Sequence, residues 1–167
     1  MTRLYPYVGS RNILERTQGH PPGAPIRSAA DLTRYVAAAG QDELTVTYTV
    51  DGEGLLRVAD RHSEHVACAG NTPVRAAGEM TIELLAEVSE VLFITNQSTG
   101  YCPEPACWDS VAKALDAAAV EHPQAFTTAF EFRRCERCSA INIVKDGWLY
   151  CPCGAQLTSH WNFGSTT

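Results

Sequence analysis

Cys135-Glu-Arg-Cys-Ser-Ala-Ile-Asn-Ile-Val-Lys-Asp-Gly-Trp-Leu-Tyr-Cys-Pro-Cys153, closed by Gly154, is the stretch that decides how the end of this 167-residue chain folds. Two cysteine pairs flank twelve residues in which Asp146-Gly147 supplies the positive φ angles of a two-residue hairpin turn. With the turn there, Lys145 is expected opposite Trp148, Val144 opposite Leu149 and Ile143 opposite Tyr150. That hairpin would carry the second pair back to the first. Four thiolates can close a tetrahedral shell around a zinc ion and leave no position for substrate, so Cys135, Cys138, Cys151 and Cys153 read as a structural zinc ribbon. The second pair has one intervening residue where a ribbon normally has two. The fourth ligand is therefore open between Cys153, a distant thiol and His160.

Upstream, the pattern changes to an α+β one. Residues 1–27 are rich in proline and glycine and read as an extended arm with one short helix near Arg11 to Arg16. Ser28-Ala-Ala-Asp31 has the form of a capping box, and Leu32, Tyr35, Val36 and Ala39 follow at helical spacing until Gly40. Leu44 to Val50 alternates strictly between apolar residues and threonines, as a half-buried strand does. Further strands are expected at Leu55 to Ala59, His65 to Ala69, Glu79 to Leu84 and Val91 to Thr95, making an antiparallel meander. A second helix is expected after Pro103-Glu-Pro105, with Trp108, Val111, Ala112, Leu115 and Ala119 on one stripe ending at His122-Pro123. Phe126 to Phe132 then alternates toward Cys135. The expected organisation is an arm (1–27), an antiparallel sheet with two flanking helices (28–125) and the zinc ribbon (126–167).

Composition narrows the functional classes. A net charge of −6 argues against sequence-independent binding to nucleic acid, whose affinity comes from lysine and arginine neutralising phosphates. Arg133, Arg134, Arg137 and Lys145 near the cysteines are interleaved with Glu131, Glu136 and Asp146, so RNA binding through the ribbon is the weakest of three readings. The first ten residues lack the apolar run of a secretory signal, and no stretch approaches the roughly twenty apolar residues of a membrane span. A cytoplasmic protein is expected, in which seven reduced cysteines divide into four metal ligands and Cys68, Cys102 and Cys107.

Two further groups of residues have chemical potential. Asn96-Gln-Ser-Thr-Gly-Tyr-Cys-Pro-Glu104 is a polar loop between a strand and a helix start, with Asn96, Ser98, Tyr101 and Glu104 as candidate binding residues. A thiol in the first turn of that helix, Cys107, would have its pKa lowered by the dipole. Arg61-His-Ser-Glu-His65 with Glu79 offers general bases, so Cys102 or Cys107 with His62, His65 and Glu79 is the candidate set for a hydrolase or transferase. The His-x-Glu and Pro-Cys-x-x-Cys of a nucleobase deaminase, needed together on two helix starts, are not present in working form, and the His-Glu-x-x-His of a metalloprotease and the glycine loops that cradle phosphates do not occur.

Together, Arg61-His-Ser-Glu-His65, Ala77-Gly-Glu79, the Asn96 to Glu104 loop and the cysteine knuckle beside Ile143-Val-Lys-Asp-Gly147 resemble a group of uncharacterised bacterial proteins. In that group two residues separate the last cysteines. The resemblance implies no substrate and no catalytic residue. The leading expectation is a protein-binding adaptor built around structural zinc.

Overall fold

The computed structural model describes residues 2–164; Met1 of the expected arm and residues 165–167 of the expected ribbon module lie outside the described residues. The fold is α+β. Its elements are α1 (Arg11–Thr17), β1 (Ala24–Ile26), α2 (Ala29–Ala38), β2 (Glu43–Asp51), β3 (Leu56–Asp60), α3 (His65–Cys68), β4 (Val74–Leu85), β5 (Val88–Ile94), α4 (Trp108–Ala117), β6 (Glu131–Arg134) and β7 (Ile141–Val144). The first five strands form one antiparallel sheet in the order β1-β3-β2-β4-β5. The chain therefore departs from a simple meander: after β3 it crosses β2 and resumes with β4 on the other side.

Each half of the capping box is made. Ser28 Oγ accepts from the Asp31 amide at 3.2 Å and the Asp31 carboxylate accepts from the Ser28 amide at 3.1 Å, which fixes the start of α2. The alternation of β2 places Val46, Tyr48 and Val50 in the core with Leu32 and Val36 of α2 and Val111 and Leu115 of α4. On the opposite face Thr47 and Thr49 are also fully buried, because the segment from Arg61 to Cys68 lies over them. Thr47 Oγ1 donates to the carbonyls of Arg61 and Ser63, and Thr49 Oγ1 lies 3.6 Å from Cys68 Sγ.

That segment corrects the strand expected at His65 to Ala69. It is the short helix α3, ended by Gly70 and Asn71, both at positive φ. Four residues with one β-branched member carry too little periodicity to separate strand from helix, and the geometry is set by the need to cover the two threonines. The strand expected from Phe126 is also shorter, reduced to β6 plus an isolated bridge between Thr128 and Thr95. Residues 1–27, read as an arm, contribute the edge strand β1 and a core side chain: Tyr5 is 2% exposed and its backbone bridges to Val74.

Gly78 in β4 has no possible replacement. A Cβ there would stand 2.0 Å from the Thr95 carbonyl oxygen, because the chain leaving β5 crosses directly over it. The same carbonyl accepts from Tyr48 Oη at 2.8 Å. This crossing sets where the Asn96 loop begins.

Candidate metal centre

The two cysteine pairs converge. The sulfurs of Cys135, Cys138, Cys151 and Cys153 all lie within 4.8 Å of one another, with Cys135 to Cys153 and Cys138 to Cys151 both at 3.6 Å. A tetrahedral Zn–S shell requires neighbouring sulfurs at roughly 3.8 Å, so the spacing fits a four-sulfur ion site. Among the described residues this is the one group of histidine, cysteine, aspartate or glutamate side chains close enough to hold an ion. Cys153 supplies the fourth sulfur of the cluster despite the shortened second pair, while His160 Nδ1 lies 2.9 Å from Ser159 Oγ.

Each pair sits at the tip of its own hairpin, which corrects the expected pairing. Ile141–Val144 pairs with Glu131–Arg134, not with residues 148–150. The first knuckle closes through Cys135 N to Ala140 O and Ser139 N to Cys135 O, both 2.8 Å, with Ser139 at φ 65°. The second closes through Cys151 N to Ala155 O at 2.9 Å and Gly154 N to Cys151 O at 2.8 Å, with Gly154 at φ 89°. Asp146 and Gly147 do form a turn at positive φ, closed by Trp148 N to Lys145 O at 2.9 Å. Beyond it Tyr150 bridges to Gln156. A knuckle is itself a reversing turn, and two knuckles outcompete the one hairpin that local turn chemistry suggested.

Knuckle geometry points backbone amides at sulfur. The amides of Cys138 and Arg137 draw the Cys135 thiol down to about 6, and that of Cys153 lowers Cys151. At Cys138 the Ala140 amide favours the thiolate, but the sulfurs of Cys151 and Cys135 outweigh it and push the group up to about 11. Four adjacent sulfurs cannot all carry charge unless a cation sits among them. The knuckle end of the ribbon has little else to hold it, since the core there is Cys135, Cys151 and Leu157 with Leu149 and Ala155 against them.

A second apolar cluster docks the ribbon on the body: Cys102, Phe132 and Phe163, with Val8, Phe130, Ile141, Ile143 and Trp161 packed around them. Trp161 Nε1 donates to the Cys102 carbonyl at 2.7 Å, and Asn162 exchanges two 2.8 Å bonds with the backbone of Arg134. The basic residues take part. Arg133 is buried and donates to the carbonyls of Thr158, Phe132 and Ser159, and Arg134 donates to Ser139 and Val8 while lying over the Phe163 ring. Of the four cations considered for RNA, Arg137 and Lys145 are left exposed.

The Asn96 to Glu104 loop faces inward. Asn96 is fully buried; its Nδ2 donates to the carbonyls of Pro103 and Phe130, and its Oδ1 accepts from the Phe130 amide at 2.7 Å. Ser98, 1% exposed, accepts from the Tyr101 amide, and the buried Tyr101 reaches the Thr72 carbonyl through its hydroxyl at 2.7 Å. Glu104 pairs with Arg3 and accepts from Tyr5 Oη. The loop ties the ribbon to the body, leaving Gln97 and Thr99 as exposed side chains.

The Cys/His candidates are not brought together. Cys102 and Cys107 are buried, which pushes both thiols up to about 12 and leaves them protonated and unreactive. Cys107 was expected to be lowered by a helix dipole, but it ends a short 3-10 turn and burial dominates. His65 Nε2 lies 2.9 Å from the Gly78 carbonyl oxygen, Glu79 lies on β4 and His62 is exposed. His62 lines an open depression of roughly 600 Å³ with Arg16, His20, Ser63 and Glu64, whereas Cys107 lines a different one with Arg3, Tyr5 and Glu104. No hydrogen bond joins a thiol to a histidine among the described residues.

No family model, curated protein or solved structure matches the chain. No helix among the described residues is long and apolar enough to cross a membrane.

Proposed function

We propose that the protein is a binding module whose C-terminal ribbon is folded by a structural zinc ion and presents a surface to a protein partner. The supporting observation is the closed four-sulfur shell. Its donors suit zinc, all four positions are taken by protein, and the apolar core around the knuckles is too small to hold the second hairpin alone. Zinc there organises and does not activate water. Clustered reduced thiols favour a cytoplasmic setting.

Trp148, 68% exposed, and Tyr150, 47% exposed, lie with ring centroids 5.1 Å apart on the ribbon beyond the second turn. Large aromatics of this kind are the usual anchors of protein interfaces. The resemblance to bacterial proteins makes a bacterial lysate the source in which to look for the partner.

Chelation tests the reading. Stripping metal from the full chain should abolish the ordered amide signals of the two knuckles and the second hairpin, residues 135–140 and 148–157, while the signals of β2 and β4 persist, because the main core does not depend on the ion. Proteins retained by the wild type should be lost when Trp148→Ser and Tyr150→Ser are combined with zinc still bound. An unchanged ribbon spectrum after chelation would refute the structural role, and identical retention by the double variant would refute the ribbon surface.

A further inference from the structure

The sheet carries an uncovered face at the end remote from α3. Alternation along β2, with Thr47 and Thr49 under the Arg61 to Cys68 segment, puts Glu43 and Thr45 on the same side. Register then extends that side across the sheet. Glu43 stands opposite Glu83, Glu83 opposite Glu90, and Glu90 bridges to Glu121, so four glutamates occupy one row over four adjacent segments. The next row is Thr45, Thr81 and Phe93; the row beyond the glutamates is Leu85 and Val88 at the hairpin end.

Like charges directly opposite one another destabilise a sheet, and none of these four carboxylates has an ion-pair partner among the described residues. No lysine or arginine occurs between Arg75 and Lys113 to relieve them. The flanking side chains are apolar and exposed: Leu85 at 53%, Val88 at 61% and Phe93 at 58%. A face selected only for solubility would mix charges and keep such side chains inside.

We infer that this face, bounded by Leu85, Val88 and Phe93 around the glutamate row, docks a protein segment that carries lysine or arginine beside apolar side chains. Charge complementarity selects that occupant. Nucleic acid is repelled by the row, and a second copy would set carboxylates against carboxylates. Strand addition at the β5 edge is blocked, because Glu121 and Thr127 already bond to Val91 and Ile94 there, so docking uses the face. The inference rests on the reading of the protein as a binding module and adds a surface separate from the ribbon aromatics.

The probe is the peptide acetyl-Lys-Leu-Lys-Phe-Lys-Leu-Lys-amide, titrated into the isotopically labelled, zinc-loaded full chain and followed by amide shifts. Shifts should cluster on β2, β4 and β5 around Glu43, Glu83, Glu90 and Phe93, and binding should weaken with salt. Three exposed pairs lost together in Glu43→Lys/Glu83→Lys/Glu90→Lys should weaken binding about tenfold. The triple glutamine variant, which keeps side-chain shape, serves if the lysine variant does not fold. Phe93→Ser should weaken binding further, and a peptide with glutamate for lysine should not bind. Equal affinity for the triple variants would overturn the inference, as would reversible self-association lost in Phe93→Ser. Shifts centred on Trp148 and Tyr150 would overturn it while leaving the binding-module reading intact. Loss of the ribbon reading in the chelation experiment would leave binding at the sheet face unaffected.

Discussion

Replacing Asn96 by alanine separates a structural clamp from a recognition residue. The side chain is fully buried and makes three hydrogen bonds, two from Nδ2 to the carbonyls of Pro103 and Phe130 and one from the Phe130 amide to Oδ1. Truncation removes all three. An orphaned buried polar group costs about 1 to 3 kcal/mol; with the amide near the top of that range and the two carbonyls near the bottom, the loss is about 3 to 5 kcal/mol. For a chain of this length that corresponds to a fall of about 6 to 20 °C in the melting temperature. Asn96→Asp should be at least as damaging, since it turns a carboxylate oxygen toward two carbonyls. Thermal melts followed by circular dichroism give the magnitude. Amide exchange should show faster opening at Phe130 and through β6, because the clamp joins the ribbon to the body. A melting temperature within about 2 °C of wild type in Asn96→Ala would refute the clamp, because so small a loss is under about 1 kcal/mol for this chain length.

Iodoacetamide at pH 7.5 should leave Cys102 and Cys107 unmodified in the folded, metal-loaded chain and label both after denaturation, since burial holds their thiols near 12; peptide mass mapping reads the result, and fast labelling in the native state would contradict their packing. Gly78→Ala should fail to accumulate as folded protein, because its Cβ would overlap the Thr95 carbonyl oxygen; a wild-type melting curve would show that the crossing is misplaced. Burial lowers the His65 pKa below 6.5 in the folded state, against opposing help from the Gly78 carbonyl, Glu79 and Glu64. The unfolded chain therefore takes up that proton first, and the stability present above pH 6.5 should decline as pH falls from there toward the folded pKa. Urea midpoints across that window should fall less steeply in His65→Gln than in wild type.

Local signals reached as far as local forces do. The capping box of Ser28 and Asp31, the alternation of β2 and the first cysteine pair each state their geometry in a few adjacent residues, and each is found in the structure. The failures are all long-range. Nothing near His65 announces that Thr47 and Thr49 must be covered, so a four-residue helix looked like a strand. Asp146-Gly147 makes its turn as read, but the strands beside it choose partners across the knuckles. The residue types in the Asn96 loop suggested an outward-facing site, while its hydrogen-bond partners lie at Thr72 and Phe130, far along the chain. The glutamate row went unread for the same reason. Spacing of Glu79 and Glu83 in one strand and Glu90 in the next was visible, but only register sets the last two side by side with Glu43.

X-ray absorption at the zinc edge, combined with elemental analysis of the purified full chain, is the most direct measurement. One zinc per chain with four sulfur neighbours at about 2.3 Å is the result that agrees with Cys135, Cys138, Cys151 and Cys153 as a closed shell. Absence of bound metal, or a shell in which nitrogen or oxygen replaces one of the sulfurs, would contradict it.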